Sequence, residues 1–467
     1  MPTNKLHRLL TQLDGHERLR LQKLIHSPYF TESEDLQRLW QCLTDDLDLL
    51  LDKPQLWQRI FGQRPYNDAH LRRLYSDLTQ LAHRLLALDH LPEVEEQLQL
   101  LPVLARAGLT KHFDSTLRKI DRALSHSTHR HADHYLHHYR VATALHHRQE
   151  QRSVRKHTLD HLVEADRALD IFYLATKLRH HCIALDYANF MSLQADIPLP
   201  TELEAYISDH RYQEYPAVSM YAAISDMQRH PDVETLFDKV LHLLEQYADC
   251  FPHEEAQALY TMAQNYCITK INRGRQAYYH RLFDLYRQLL DKRLLHVGDH
   301  LPTQHYKNIV TVGLKVEAYD WTENFIQQQS HDLPAEEQEN ALTYNLAKLY
   351  FEQGDYAKTI AQLRDVDYTP VYYALGGRLL LLKSYYALRE DRALDILIDS
   401  FTVYLRRNRV ISGKVRKQYL DMVRYVRKLA YLPPGDRAAR QQLRDAIAHN
   451  DSVAGKRWLL TEVDARG

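Results

Sequence analysis

Residues 340–366 read Asn-Ala-Leu-Thr-Tyr-Asn-Leu-Ala-Lys-Leu-Tyr-Phe-Glu-Gln-Gly-Asp-Tyr-Ala-Lys-Thr-Ile-Ala-Gln-Leu-Arg-Asp-Val. Leu342, Leu346, Leu349 and Tyr350 recur at helical spacing, so the first half predicts a helix with one apolar face. Gly354-Asp355 interrupts the pattern, and glycine readily takes the left-handed conformation that ends a helix. Tyr356, Ile360, Leu363 and Val366 then form a second apolar stripe. Two helices this short cannot bury both stripes alone. The pattern therefore predicts neighbours of the same kind, which is the logic of a solenoid.

In this stretch Leu346-Ala347, Tyr350, Gly354-Asp355-Tyr356, Ile360, Leu363 and the later Pro370 resemble a tetratricopeptide repeat (TPR). Thr359 departs from the family, which prefers Ala there. A shift back by 35 residues places Trp321 on Tyr356, Asp320 on Asp355 and Phe325 on Ile360. A shift forward by 35 places Tyr385-Tyr386 on Tyr350-Phe351 and Lys383 on Lys348. With one residue deleted in the turn, Leu394 and Leu397 follow on Ile360 and Leu363. A period near 35 is that of this repeat class, so 303–407 reads as three consecutive helical hairpins. The resemblance implies an all-α fold: a right-handed superhelical α-solenoid of antiparallel helix pairs. In that family ligands lie in the concave surface lined by the first helix of each hairpin. Carried onto this chain, the groove positions are Tyr344, Lys348 and Phe351, then Leu379, Lys383 and Tyr386. Lys348 and Lys383 occupy the same repeat position. Aligned ammonium groups beside aromatic rings suit an extended peptide with acidic side chains or a free carboxylate.

Composition agrees with long helices and short turns. The 467 residues hold only 13 Gly and 16 Pro, about half the usual share. Net charge is −1, so no whole-molecule field selects nucleic acid or membrane. The four cysteines, Cys42, Cys182, Cys250 and Cys267, are scattered, which points to a reducing compartment rather than a disulfide framework. The first residues, Met-Pro-Thr-Asn-Lys-Leu-His-Arg, hold no apolar core of the kind a signal peptide uses, and no apolar run reaches spanning length. The expectation is a soluble, cytoplasmic protein.

Read in order, residues 1–91 predict an N-terminal helical head, with helices near 4–13, 16–26, 33–50, 54–61 and 67–90. Thr31-Glu-Ser-Glu34 fits a capping box for the third, and Asn67 can cap the fifth. The last two, joined by Gly62–Tyr66, could mimic a helix-turn-helix, but the turn is long for the DNA-binding version. Residues 92–200 form a further helical region, with helices at 93–107, 111–126, 131–150, 157–169 and 171–193. Pro198 and Pro200 mark a joint. Residues 201–302 read as degenerate repeats, 303–407 as the TPR-like repeats, and 408–467 as capping helices and tail. The tail beyond 436 is expected to add one or two short helices with frayed last residues. Ser27-Pro28-Tyr29-Phe30, Arg72-Arg73-Leu74-Tyr75-Ser76-Asp77-Leu78 and Tyr306-Lys307-Asn308-Ile309-Val310 also resemble a group of uncharacterised bacterial helical proteins, a likeness that implies no assigned activity.

Beyond the groove, two clusters compete for a function. His126, His129, His131, His134, His137 and His138 fall within thirteen residues. His134 with His138, and His157 with His161, are spaced i,i+4, so each pair can point to one divalent ion. A metal-dependent enzyme using 126–161 would also need a third ligand and a base, and the His-Glu-x-x-His pattern is absent. The second cluster is the basic helix at 406–428. Arg406, Arg407, Arg409, Lys414, Arg416, Lys417, Arg424, Arg427 and Lys428 face only Asp421 in opposition. Such a patch suits phosphates or an acidic protein surface, with Tyr425 available to stack a base; a solvated cap of the solenoid would look the same. No phosphate loop, nucleophile elbow or Cys/His arrangement appears. Adjacent pairs such as Asp45-Asp46 and Glu254-Glu255 diverge around a helix. The reading is a non-enzymatic scaffold without cofactor or metal, binding a peptide or protein partner.

Overall fold

A computed structural model describes residues 4–150, 158–191, 193, 197–208, 210–364, 371–433 and 435–465. The chain is all-helical, with no strand among the described residues. It divides into two compact units, residues 1–128 with 133–170 and residues 129–132 with 171–467.

The first unit begins with α1 (Lys5–Gln12), α2 (Gly15–Ile25), α3 (Glu34–Asp45), α4 (Lys53–Phe61) and α5 (Asp68–Asp89). Their apolar faces meet in one cluster, with Leu10, Leu21, Ile25, Leu39, Leu56, Leu71 and Leu78 fully buried. The expected helix 33–50 stops at Asp45, because Asp46 takes an extended conformation and its carboxylate caps a 3-10 turn, Leu47–Leu51. The cap of α3 is Ser33, whose hydroxyl accepts from the Leu36 amide; the reciprocal capping box instead joins Asp14 and Glu17 at α2. Asn67 caps α5 as expected. A second cluster joins α6 (Glu93–Arg106), α7 (Thr110–His126) and α8 (Ala132–Glu150) through Leu98, Leu101, Phe113, Ile120 and Val141.

Helix α9 (Asp160–Met191) is continuous, where the sequence reading breaks it at 170. Ala168-Leu169-Asp170-Ile171 contains no proline or glycine to stop the ladder, and Asp170 stays inside the helix instead of capping a new one. After α10 (Thr201–Ser208) and α11 (His210–Gln213), the second unit continues as helix pairs. They are α12 (Pro216–Arg229) with α13 (Glu234–Tyr247), α14 (His253–Asn272) with α15 (Tyr278–Asp291), α16 (Thr303–Lys315) with α17 (Tyr319–Gln329), α18 (Ala335–Glu352) with α19 (Tyr356–Leu363), and α20 (Val371–Leu388) with α21 (Asp391–Arg407). Each helix packs on the next, and alternate helices also touch: α12 with α14, α16 with α18, and α18 with α20.

One turn geometry closes four of these pairs. Gly274, Glu317, Gly354 and Arg389 all sit in the left-handed region, at φ 88°, 58°, 80° and 57°. In each, the following amide donates back to the carbonyl five residues earlier: Arg275 to Lys270 at 3.0 Å, Ala318 to Gly313 at 3.0 Å, Asp355 to Tyr350 at 2.9 Å, and Glu390 to Tyr385 at 3.0 Å. This bond satisfies a carbonyl that the end of a helix would leave open. Thr359 stands where the repeat family prefers Ala, and its hydroxyl is accommodated: it is fully buried and donates to the Asp355 carbonyl at 3.0 Å. Thr322 makes the same bond to Ala318 at 2.8 Å.

The pairs bury whole tyrosines; Tyr221, Tyr260, Tyr306 and Tyr373 are among the largest fully enclosed side chains. Burial pushes the phenols of Tyr260 and Tyr286 up to about 12. Three further helices follow the pairs. Helices α22 (Gly413–Ala430), α23 (Arg437–Ala448) and α24 (Lys456–Ala465) share a core in which Met422, Val426, Ile447, Leu459 and Val463 are fully buried. The last two residues, where fraying is expected, lie outside the described residues. Among the described residues no helix is long and apolar enough to cross a membrane.

Candidate binding groove

Helices α16, α18 and α20 are the first members of three successive pairs, and their facing residues form one lined surface. On α16, Lys307, Thr311 and Lys315 follow at intervals of four, so they share a face. On α18 the same role falls to Tyr344, Lys348, Phe351 and Glu352, and on α20 to Tyr372, Gly376 and Lys383.

The surface has three parts. At one end Tyr344, Tyr372 and Tyr373 meet edge to face, with centroid separations of 5.3–5.8 Å. The Lys307 ammonium lies 4.4 Å from the Tyr372 centroid and 4.9 Å from that of Tyr373, a distance at which the ring quadrupole attracts a cation. In the middle, Lys348 Nζ donates to Thr311 Oγ1 at 3.0 Å. At the other end, Lys383 Nζ lies 5.6 Å from the Phe351 centroid and 5.2 Å from that of Trp458, on α24.

Lys348 and Lys383 are half-buried. Burial holds both amines below the ordinary lysine range; the Glu352 carboxylate opposes this in both, and the Lys315 charge adds to it. Among the described residues, neither ammonium has a carboxylate oxygen within 4.0 Å. Cations removed from water without a paired anion carry an unrecovered desolvation cost.

The structure thus brings Tyr344, Lys348, Phe351 and Lys383 to one surface, while Leu379 packs against the core that α20 shares with the helices after it. Tyr386 is different: it is buried beneath Trp458, the rings standing 5.4 Å apart. Sequence reasoning missed Lys307, Thr311, Lys315, Tyr372 and Trp458. A shift of 35 residues back from Lys348 lands on Gly313, so the repeat register conceals the lysines of α16. Trp458 lies outside the repeats altogether.

The basic cluster is partly structural. Arg416 donates to the carbonyls of Leu405, Asn408 and Ile411 at 2.8, 2.9 and 3.0 Å, closing the end of α21. Arg424 pairs with Asp421 at 3.0 Å, and Arg427 with Asp399. Arg406, Arg407, Arg409, Lys414, Lys417 and Lys428 are exposed. Tyr425 cannot stack a base: it is buried, and its hydroxyl donates to the Ala446 carbonyl at 3.1 Å.

Of the histidines, His134 and His138 stand ring to ring at 4.6 Å. His137 is engaged with Glu95 at 2.7 Å, beside the Arg140–Glu95 pair. His157 lies outside the described residues. Among the described residues no group of three His, Cys, Asp or Glu side chains is placed to hold a metal ion. Glu255 serves packing, accepting from the Tyr221 hydroxyl at 2.7 Å. Comparison with family models, curated proteins and solved structures returns no match.

Proposed function

We propose that the chain is a non-enzymatic interaction scaffold, a TPR-like right-handed solenoid whose α16–α18–α20 surface binds a peptide or protein partner through acidic groups. The observation that carries this reading is the pair of half-buried ammonium groups, Lys348 and Lys383, without a carboxylate at pairing distance. An anionic partner would supply the missing counter-charge. The rings of Tyr344, Tyr372 and Phe351 would supply apolar contact on a rigid surface, at small ordering cost. The triple variant Tyr344→Ala, Lys348→Met, Lys383→Met tests it. Capture of an acidic protein by the wild type and its loss in a folded triple variant is the expected result. Retention of every captured partner would sink the reading.

A second reading uses the exposed cations Arg406, Arg407, Arg409, Lys414, Lys417 and Lys428, for which no ion pair forms among the described residues. Such a surface suits nucleic-acid phosphates or an acidic protein. Oligonucleotide binding that falls steeply with salt and is lost in Lys414→Glu, Lys417→Glu would support phosphates as the ligand; no binding at low salt would exclude it.

A further inference from the structure

A cavity of about 520 Å³ opens in the first unit, between α2 and the end of α3. Its walls are two helix faces. Arg18, Leu19 and Gln22 stand at intervals of three and four on α2, and Trp40, Leu43 and Thr44 do the same on α3. Leu10, from α1, and Leu47, from the 3-10 turn, complete the apolar lining. The Thr44 hydroxyl is spent on the Gln41 carbonyl at 2.7 Å. Two buried donors are not spent. Trp40 is only 3% exposed, and its indole Nε1 has no acceptor among the described residues; the same holds for Arg18 Nε. The Arg18 guanidinium is fixed at this wall, because its Nη2 donates to the Leu10 carbonyl at 3.1 Å. A buried donor without an acceptor keeps its full desolvation cost, and native structures hold few of them. Two at one cavity point to a ligand that brings an acceptor. The rim carries the opposite charge. Asp45 and Asp46 line it, are exposed, and follow the last carbonyls of α3, whose partial negative charge they reinforce.

We propose that this cavity binds an α-aminoacyl unit with an aliphatic side chain, either a free amino acid or the first residue of a peptide. Its carbonyl or carboxylate oxygen accepts from Trp40 Nε1 and Arg18 Nε. Its side chain lies against Leu19, Leu43 and Leu47, and its ammonium meets Asp45 and Asp46. A plain anion such as a fatty acid is a poorer fit, because the two acids and the end of α3 oppose the one guanidinium. Both donor nitrogens are shielded from solvent, so binding includes a side-chain adjustment at the wall, a common change on complex formation.

The site is independent of the groove, and the indole proton of Trp40 reports on it directly. The full chain, labelled with ¹⁵N-tryptophan, gives four indole signals for its four tryptophans, assigned by replacing each in turn with Phe. The probes are L-leucine, the tripeptide Leu-Ala-Ala and N-acetyl-leucinamide, which keeps the side chain and carbonyl but lacks the ammonium. The expected result is a downfield shift of the Trp40 signal alone, with L-leucine or with the tripeptide. A response to leucine only identifies a free amino acid as the ligand, and a response to the tripeptide a chain terminus; both support the site. N-acetyl-leucinamide should bind at least roughly threefold more weakly, and Asp45→Asn should weaken the binding of the better probe by a similar factor, the scale of one exposed ion pair. Arg18→Lys, which keeps the charge but not the Nε donor, should weaken it about tenfold. Thermal midpoints check that both variants are folded. Unchanged affinity in Arg18→Lys, or equal binding of the acetylated probe, overturns the proposal. So does a shift confined to Trp458, which would place the ligand in the groove. No Trp40 shift at about 20 mM of any probe, where a site of millimolar affinity would be almost filled, leaves the cavity to solvent alone and also overturns it.

Discussion

The Tyr344 hydroxyl occupies the space that a side chain at position 376 would need: a Cβ on Gly376 would lie 2.6 Å from it. This close approach lets α18 and α20 pack with the tyrosine cluster between them. Gly376→Ala is expected to push Tyr344 off its neighbours Tyr372 and Tyr373 and to cost about 1–3 kcal/mol, the range for overpacking. Urea denaturation of the variant checks it, and a loss below ~0.5 kcal/mol would show that the ring relaxes freely.

The left-handed turns give a prediction of opposite sign at equivalent sites. Glu317 and Arg389 hold φ values of 58° and 57° that strain any residue with a Cβ. Each of Glu317→Gly and Arg389→Gly should therefore raise stability, by up to about 1 kcal/mol once the entropy of glycine in the unfolded chain is deducted. Gly354→Ala, at φ 80°, should lower it by about 1 kcal/mol. Thermal midpoints of the three variants provide the comparison, and a common sign for all three would refute the argument.

Lys348 and Lys383 make the groove a liability in the absence of a partner. Each amine titrates below its unfolded value because of burial. Below the folded midpoint both states are protonated and the full penalty is present. As pH rises toward the unfolded lysine value the unfolded chain holds more protons, so this contribution to stability increases with pH. Lys383→Met is thus expected to stabilise the protein at pH 7, on the order of 1 kcal/mol. The advantage over wild type should shrink by pH 10.5. Paired urea titrations at the two pH values measure the difference, and a gain that grows with pH would contradict the assignment.

Arg416 carries three carbonyl bonds at the end of α21, unlike the exposed cations around it. Arg416→Met should cost roughly 2–3 kcal/mol by leaving those carbonyls unmet. Lys414→Met and Lys417→Met should each stay within about 0.5 kcal/mol of wild type. Equal losses at all three positions, read by chemical denaturation, would count against the distinction.

These sites show how far the sequence could be read. The stripes around Gly354 and their echo at Trp321 and Tyr385 were visible because helical periodicity and left-handed turns leave local marks. The turn at Gly354 follows from the same signals. The break expected at 170 failed because no proline or glycine stops the ladder there and Asp170, a capping residue type, is held within the helix. At the groove, Lys348 and Lys383 were legible as a matched pair. The partners that give them meaning were not: Thr311 and Lys315 are out of repeat register, and Trp458 comes from a helix 75 residues after Lys383 in the chain. Tyr425 looked like a stacking platform on charge pattern alone, but its spacing with Met422, Val426 and Leu429 puts it in the core.

The enclosed tyrosines carry a consequence for alkaline solution. Tyr221, Tyr306 and Tyr373 are held above the ordinary phenol range by burial, as are Tyr260 and Tyr286. In the unfolded chain these hydroxyls would ionise near pH 10. Their near-ultraviolet phenolate band should therefore emerge in two waves, the surface rings first and the interior rings only as the helix pairs come apart. The second wave then serves as an intrinsic optical report on the opening of the helix pairs that enclose these rings.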